Sequence, residues 1–159
     1  MTEKSTNSSG FSLLEVLFVV AIIGILANIA IPAIQKALWK ARAVAAIQDF
    51  RVFERALHEY ERDFNTIPRN GTAKKPPHEL DPYLGVGFSW QSPHPWVKNY
   101  VWENWTGRSL GRRLDIQYGF SLKKPDERIV EAIQRVYDGR FEKTVSSKYT
   151  FVISASENQ

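Results

Sequence analysis

The stretch that decides the fold of this chain is Gly10–Pro32, GFSLLEVLFVVAIIGILANIAIP. Within it, Phe11–Ile31 is apolar except at Ser12, Glu15 and Asn28. A helix of about 20 apolar residues is long enough to cross the hydrocarbon core of a membrane. An ionisable side chain is costly inside such a helix, so Glu15 is the first candidate functional residue.

Length and composition limit what the rest of the chain can form. The chain has 159 residues and a formal net charge of +4, which fits one domain with a membrane helix attached. If the first ~60 residues form that helix and its extension, about 95 remain for one modest core. This net charge is only mildly basic and is not the signature of a nucleic-acid-binding protein, which needs basic residues clustered on one face, so no nucleic-acid partner is expected. The chain has no cysteine, which excludes disulfides and thiolate metal sites.

Two features of the N-terminal stretch indicate a family. The pair Gly10-Phe11 with Glu15 four residues later, followed by VVAIIGILANIAIPAI (Val19–Ile34), resembles the class III signal of type IV pilins and of type II secretion pseudopilins. The resemblance is dense over residues 10–34 and is limited to architecture beyond them. Many pilins carry a C-terminal disulfide loop that this chain cannot form, which favours the pseudopilin side of the family.

The resemblance implies how the N-terminus is processed. Residues 1–10 are a leader, and a prepilin peptidase cleaves between Gly10 and Phe11 and N-methylates the new Phe11 amine. An ordinary secretory signal has its cleavage site after the apolar core. Here the small residue precedes the apolar segment, so that segment stays in the mature protein as an anchor.

The resemblance also implies a location. It places a single-pass anchor in the bacterial inner membrane with the C-terminal domain in the periplasm, and later in a pseudopilus or pilus filament. The charges that flank the anchor favour the opposite orientation. In the leader, Lys4 is balanced by Glu3. The basic residues past the far end of the anchor are Lys36, Lys40 and Arg42.

Glu15 has two interpretations. It can be a carboxylate close enough to the membrane surface to stay hydrated. The resemblance implies instead that it pairs, in a filament, with the Phe11 amine of a neighbouring subunit, because an unpaired carboxylate in low dielectric is strongly penalised. The residues expected to pack around it are Leu13, Leu14, Val16 and Leu17. The implied partners are copies of this chain or other pilin-like subunits, the prepilin peptidase, the inner-membrane assembly platform, and membrane lipid before assembly.

Gly24 and Pro32 form a candidate helix kink. Proline removes a backbone donor and clashes with the preceding turn, so a bend near residue 28 is predicted. Both residues can also be incidental, because glycine and proline are commoner in membrane helices than in soluble ones.

The helical pattern continues after Pro32 and becomes amphipathic. One helix is predicted from about Phe11 to about Arg62. Its predicted apolar stripe after the anchor consists of Ile34, Leu38, Ala41, Ala45, Val52, Ala56 and Tyr60, widened by Ala37, Val44, Phe53 and Leu57. The predicted organisation is a leader at 1–10, a transmembrane and filament-core helix at 11–32, an amphipathic extension at 33–62, and a periplasmic or extracellular globular domain at 63–159.

The globular domain is predicted to be α+β, with a small antiparallel sheet of two or three strands and one inserted helix packed with the long helix. Prolines and glycines make Asn65–Gly87 a connection, with a short helix after Pro77. The predicted strands are Val97–Trp102, the alternating run Leu114–Leu122, and Lys148–Ala155. Pro125-Asp126-Glu127 opens the inserted helix, and Gly139 ends it.

Phe88–Trp105 is rich in aromatic residues. These rings either fill a small core or form a face that binds a sugar or a partner. A basic loop with Arg108, Arg112 and Arg113 follows, which is a solvated turn or a contact for an anionic partner.

The sequence contains no P-loop, GxGxxG or HExxH motif, so no enzyme and no cofactor are predicted. The histidines are far apart in sequence, and no metal site is predicted. The carboxylates Asp126, Glu127, Asp138 and Glu142 lack the spacing of a calcium loop. The expected function is a filament subunit, with a type II secretion pseudopilin favoured over a pilin or minor pilin of a surface pilus. A membrane-anchored module that binds through its aromatic face is the third alternative.

Overall fold

The computed structural model describes residues 11–71, 77–105, 116–145 and 147–155. The chain divides into two compact units, unit 1 (Met1–Leu38) and unit 2 (Trp39–Gln159). The leader, the arginine loop and the start of the strand predicted at residue 114 lie outside the described residues, so what the sequence predicts for them stays a prediction.

The long helix α1 spans Leu13–Phe64, within two residues of the predicted bounds at each end. It continues across Pro32, whose missing N–H deprives the Asn28 carbonyl of its usual helical donor. The side-chain amide of Asn28 donates to the Gly24 carbonyl at 3.0 Å, so this polar side chain is satisfied by its own helix. The predicted kink stays a prediction.

Unit 2 contains a five-stranded antiparallel sheet in the order β1-β2-β3-β5-β4. Its strands are β1 (Gln91–His94), β2 (Val97–Asn104), β3 (Ile116–Lys123), β4 (Phe141–Val145) and β5 (Lys148–Ala155). The sequence predicts the three central strands and misses β1 and β4, which are short and lie at the two edges. Pro93 lies within β1, as edge strands tolerate.

The second helix α2 spans Glu127–Val136, and the carboxylate of Asp126 accepts a hydrogen bond from the Arg128 backbone N–H at 3.0 Å. This confirms the predicted helix start. The helix ends before the stop predicted at Gly139, because Tyr137 adopts an extended conformation and places its ring against Phe50. A short 3-10 helix, His78–Leu80, confirms the one predicted after Pro77.

The core of unit 2 is built from aromatic rings of α1 and the sheet. Phe50 stacks on Phe151 with ring centroids 4.6 Å apart, and Phe53 stacks on Phe120 at 4.7 Å. The buried residues of α1 are Ala43, Ala46, Ile47, Phe50, Phe53, Ala56 and Leu57. The stripe predicted from sequence is therefore wrong around Val44, which is 40% exposed, because the face that packs there is formed by residues outside that stripe, Ala43, Ala46, Ile47 and Phe50.

The aromatic segment mostly fills this core. Trp90, Trp102 and Trp105 are buried, and the indole N–H of Trp102 donates to the Pro68 carbonyl at 3.2 Å. The core interpretation is confirmed for Trp90 and Trp102, which belong to this core, whereas Trp105 is buried beside Gly119. Trp96 is half-buried.

The second face of the sheet is also buried at its centre, at Gly119 and Ser121, although the alternation of Leu114–Leu122 is typical of a strand that is buried on one face only. The Ser121 hydroxyl donates to the Glu103 carboxylate at 2.6 Å and lies 2.7 Å from the Thr150 hydroxyl. A Cβ added at Gly119 would lie 2.3 Å from a Thr150 methyl carbon. Glycine is therefore required there by close packing.

Candidate functional site

Unit 1 presents an apolar surface that its own residues do not cover. Phe11, Leu13 and Leu14 are 75–84% exposed, and Val16 and Leu17 are also exposed. A shallow groove of about 550 Å³ is lined by Phe11, Leu13, Val16, Leu17 and Val20. Among the described residues, α1 is the helix long and apolar enough to cross a membrane. Such a surface needs lipid or other apolar helices around it.

Glu15 lies in the first turn of α1 with its side chain exposed. The Glu15 backbone N–H donates to the Ser12 carbonyl at 3.1 Å and approaches the Ser12 hydroxyl oxygen at 3.4 Å. Sequence reasoning missed this cap, although Ser-x-x-Glu before an apolar run is its signature. Glu15 therefore lies where the helix dipole favours an anion and still presents its carboxylate outward. The predicted pairing with a Phe11 amine stays a prediction.

Gly24 is not required by unit 1 itself. A Cβ added there would meet nothing within 4 Å. Any steric need for glycine at this position must come from another chain or from the lipid.

In unit 2, one carboxylate ties α1 to the sheet. The same Asp49 oxygen accepts a hydrogen bond from the Tyr100 hydroxyl at 2.6 Å and lies 2.9 Å from His94 Nε2. Burial and the Asp49 hydrogen bond raise the pKa of Tyr100. The His94 ring stacks on Trp96 at 4.3 Å. This cluster holds elements together and contains no nucleophile paired with a base.

The described residues contain no group of three or more His, Cys, Asp or Glu side chains that could hold a metal ion. Each histidine has a different carboxylate partner: His58 pairs with Glu61, His78 with Asp81 and His94 with Asp49. Two of the carboxylates considered for calcium have cationic partners instead. Asp126 pairs with Arg128, and Glu142 pairs with Arg140.

A second cluster in unit 2 surrounds Trp39. The guanidinium carbons of Arg42 and Arg128 lie 4.4 and 4.3 Å from the centre of the Trp39 ring system, within the range of cation–π attraction. Hydrogen bonds from Arg128 lower the pKa of Asp126. Sequence reasoning missed this cluster because Arg128 is remote in sequence. A tryptophan directly after an apolar span was the available signal.

Comparison with known proteins places this sequence in a family. Residues 5–30 match the family profile described as the prokaryotic N-terminal methylation motif. Type II secretion system core protein G of Aeromonas hydrophila is 34% identical over 105 residues, which cover 61% of this chain and 73% of that protein. This chain belongs to the pilin-like family of type II secretion system core protein G.

Two further relatives in this pilin-like family agree. The core protein G of Pectobacterium carotovorum subsp. carotovorum is 31% identical over 106 residues, covering 62% of this chain and 68% of that protein. The core protein G of Vibrio cholerae is 38% identical over 66 residues, which cover 42% of this chain and 45% of that protein. No solved structure matches the chain.

Membership confirms the predicted family and makes the chain a pilin-like structural subunit rather than an enzyme. The matched N-terminal residues include Gly10, Phe11 and Glu15. The apolar helix with its preceding signal fits a single-pass inner-membrane protein before assembly.

Proposed function

We propose that this chain is a pseudopilin subunit of a type II secretion system, which assembles through its N-terminal helix to drive protein export. One observation carries the proposal. The chain is related to type II secretion core protein G, and its unit 1 exposes an apolar helix with a single carboxylate, Glu15, in the first turn.

The proposed mechanism begins with processing. A prepilin peptidase cleaves between Gly10 and Phe11, which creates a free amine on Phe11 and retains the anchor. Before assembly, lipid covers the apolar surface, and the globular domain is in the periplasm. An inner-membrane assembly platform then brings subunits together.

In the filament, the apolar surface of unit 1 packs against other pilin-like subunits instead of lipid. The side chains that make these contacts are Leu13, Leu14, Val16 and Leu17. The Glu15 carboxylate pairs with the Phe11 amine of a neighbouring subunit, because leaving either charge unpaired in low dielectric is strongly unfavourable. This pair fixes the axial register between neighbours.

The test of location and processing is to shear intact cells and weigh the protein in the sheared and envelope fractions by intact mass spectrometry. We expect a mass that begins at N-methylated Phe11 and is confined to the envelope. The same mass in the sheared fraction would assign the chain to a surface pilus used for adhesion, motility or DNA uptake. A mass that begins at Met1 would contradict the processing step.

The test of assembly compares Glu15→Gln with Glu79→Gln, which removes an exposed carboxylate of unit 2. We expect Glu15→Gln to reduce filament recovery at least tenfold at equal expression, since an uncompensated buried charge costs roughly 3–5 kcal/mol. Glu79→Gln should assemble normally. Normal assembly of Glu15→Gln would reject the pairing.

The third alternative was an anchored module that binds through its aromatic face. The burial of Trp90, Trp102 and Trp105 leaves little of that face accessible, so this alternative is not proposed.

A further inference from the structure

The cluster around Trp39 lies at the place where the chain leaves the apolar span. Trp39 follows Ile34 by five residues, which span at most about 17 Å however the chain runs. The polar headgroup layers add roughly 5–8 Å to each side of the hydrocarbon core. Tryptophan and long basic side chains are enriched in this headgroup layer.

Arg42 and Arg128 are available at this cluster. Both guanidinium groups lie 4.3–4.4 Å from the centre of the Trp39 ring system, so one indole contacts both of them. The Arg128 side chain is 65% exposed. The Arg128 guanidinium donates two hydrogen bonds to the Asp126 carboxylate, at 3.0 and 2.9 Å. Arg42 makes no ion pair with any residue that the structure describes.

A groove continues this cationic surface. It is lined by His94–Lys98 and Lys124–Asp126, with a volume of about 710 Å³. Asp126 belongs to the groove lining and is also the partner of Arg128, so the groove and the Trp39 cluster are adjacent. Lys98 and Lys124 are exposed at this groove. We call Trp39, Arg42, Lys98, Lys124 and Arg128 the basal cationic surface.

We propose that the basal cationic surface binds the phosphate groups of anionic phospholipids at the membrane surface beside the anchor. Arg42 is the main phosphate ligand, because its planar fork matches phosphate oxygens, and Asp126 acts on it only through longer-range electrostatics, whereas it pairs directly with Arg128. Trp39 positions both guanidinium groups at headgroup depth. The proposal rests on the membrane-anchored state in the proposed function.

This contact has a consequence for assembly. A subunit that leaves the bilayer for a filament must give up the headgroups bound to its basal cationic surface. The surface therefore holds subunits in the membrane pool and sets how readily they are extracted.

The test measures lipid retention by native mass spectrometry of the full-length protein released from detergent micelles that contain phosphatidylglycerol or phosphatidylethanolamine. We expect wild type to retain phosphatidylglycerol preferentially. Arg42→Gln/Arg128→Gln should reduce that retention roughly tenfold. Arg51→Gln/Arg55→Gln removes the same charge from exposed positions further along α1 and should leave retention unchanged.

A second variant is expected to increase phosphatidylglycerol retention, which misfolding would not do. Asp126→Asn keeps a helix cap, because asparagine caps as well as aspartate, and removes the carboxylate that competes for Arg128. We expect phosphatidylglycerol retention to rise roughly fivefold. This test does not depend on the double arginine variant being folded.

Three retention results would overturn the proposal. They are equal retention of the two lipids by wild type, equal retention by wild type and the basal double variant, and an equal loss in the Arg51/Arg55 control. Displacement of phosphatidylglycerol by millimolar inorganic phosphate would identify a site for soluble anions rather than for lipid, and would also overturn it. Normal filament assembly alongside any of these results would leave the proposed function intact.

Discussion

The two parts of α1 have similar local sequence preferences and opposite surroundings. In unit 1, Leu13, Ile25 and Ile29 are 64–84% exposed, whereas in unit 2 Phe53 and Leu57 are at most 1% exposed. Both parts form helix, so local propensity does not separate them. The difference teaches that the sheet of unit 2 supplies the partner that unit 1 must find in lipid or in other subunits.

The sequence encodes this difference in the polar face. From Val16 to Ile34 the helix is apolar on all sides except at Asn28, while the unit 2 part carries a charged face opposite its buried stripe. The charged and polar residues of that face include Lys40, Arg51, Glu54, Arg55, Glu59 and Arg62. A helix with such a face packs on one side only.

The largest expected difference between the two units is the change in unfolding free energy when a core ring is removed. Phe50→Ala should lower the free energy of unfolding of unit 2 by about 3–5 kcal/mol, because it leaves a cavity beside Phe151. Leu26→Ala in unit 1, which removes a 60% exposed side chain, should change it by less than about 0.5 kcal/mol. Denaturant titration of full-length protein in micelles measures both, and equal effects would break the comparison.

The tie between α1 and the sheet should rank next. Tyr100→Phe removes a donor to the Asp49 carboxylate and should cost about 1–3 kcal/mol, as expected for a hydrogen bond to a charged group. The same titration measures it, with Tyr149→Phe as the control because Tyr149 is half-buried. An unchanged midpoint for Tyr100→Phe would mean that packing alone holds α1 to the sheet.

The raised pKa of the same tyrosine predicts that unit 2 loses stability at alkaline pH, which we call its alkaline limit. The pKa of Tyr100 is raised above its ordinary value of 10.0 by burial and by Asp49. Below pH 10 both states keep the proton and stability is full. Above pH 10 the unfolded state ionises first, so stability should fall by about 1.4 kcal/mol per pH unit until the folded pKa is reached.

Tyr100→Phe provides the control for that limit. It removes one ionising group, so the loss of unfolding free energy per pH unit above pH 10 should be smaller by about 1.4 kcal/mol. Some slope should remain, because burial also raises the pKa of Tyr137. A slope that is identical in the variant would show that Tyr100 does not control the alkaline limit.

The smallest expected effect on stability comes from removing the N-terminal caps of the two helices. Asp126→Ala should destabilise unit 2 by about 1 kcal/mol, while Asp126→Asn keeps the cap and should cost little. Ser12→Ala removes the α1 cap in unit 1 and should leave the unfolding midpoint of unit 2 unchanged. Thermal unfolding followed by circular dichroism measures all three, and a shift caused by Ser12→Ala would mean that the units unfold together.

Sequence reasoning succeeded where a pattern is local. The uninterrupted apolar run and the stripe after it predict α1, and the Pro-Asp-Glu sequence predicts the start of α2. The central strands alternate or are rich in aromatic and β-branched residues, which predicts them as well.

What sequence reasoning missed depends on contacts between distant segments. Ser121 is polar and alternates with apolar neighbours, yet it is buried because Glu103 and Thr150 satisfy its hydroxyl. The short edge strands β1 and β4 have too few residues for a clear period. The Trp39 cluster needs Arg128, which only the folded chain brings near.

The stacking of Phe50 on Phe151 fixes an order of events during synthesis. About a hundred residues separate the two rings, so at roughly 5–20 residues per second the ribosome makes Phe151 some 5–20 s after Phe50. The core of unit 2 cannot close in that interval, whereas the apolar helix that precedes it is already complete. The anchor can therefore enter the membrane while the rest of the chain is still unfolded, and β5 is the last element needed to close the core.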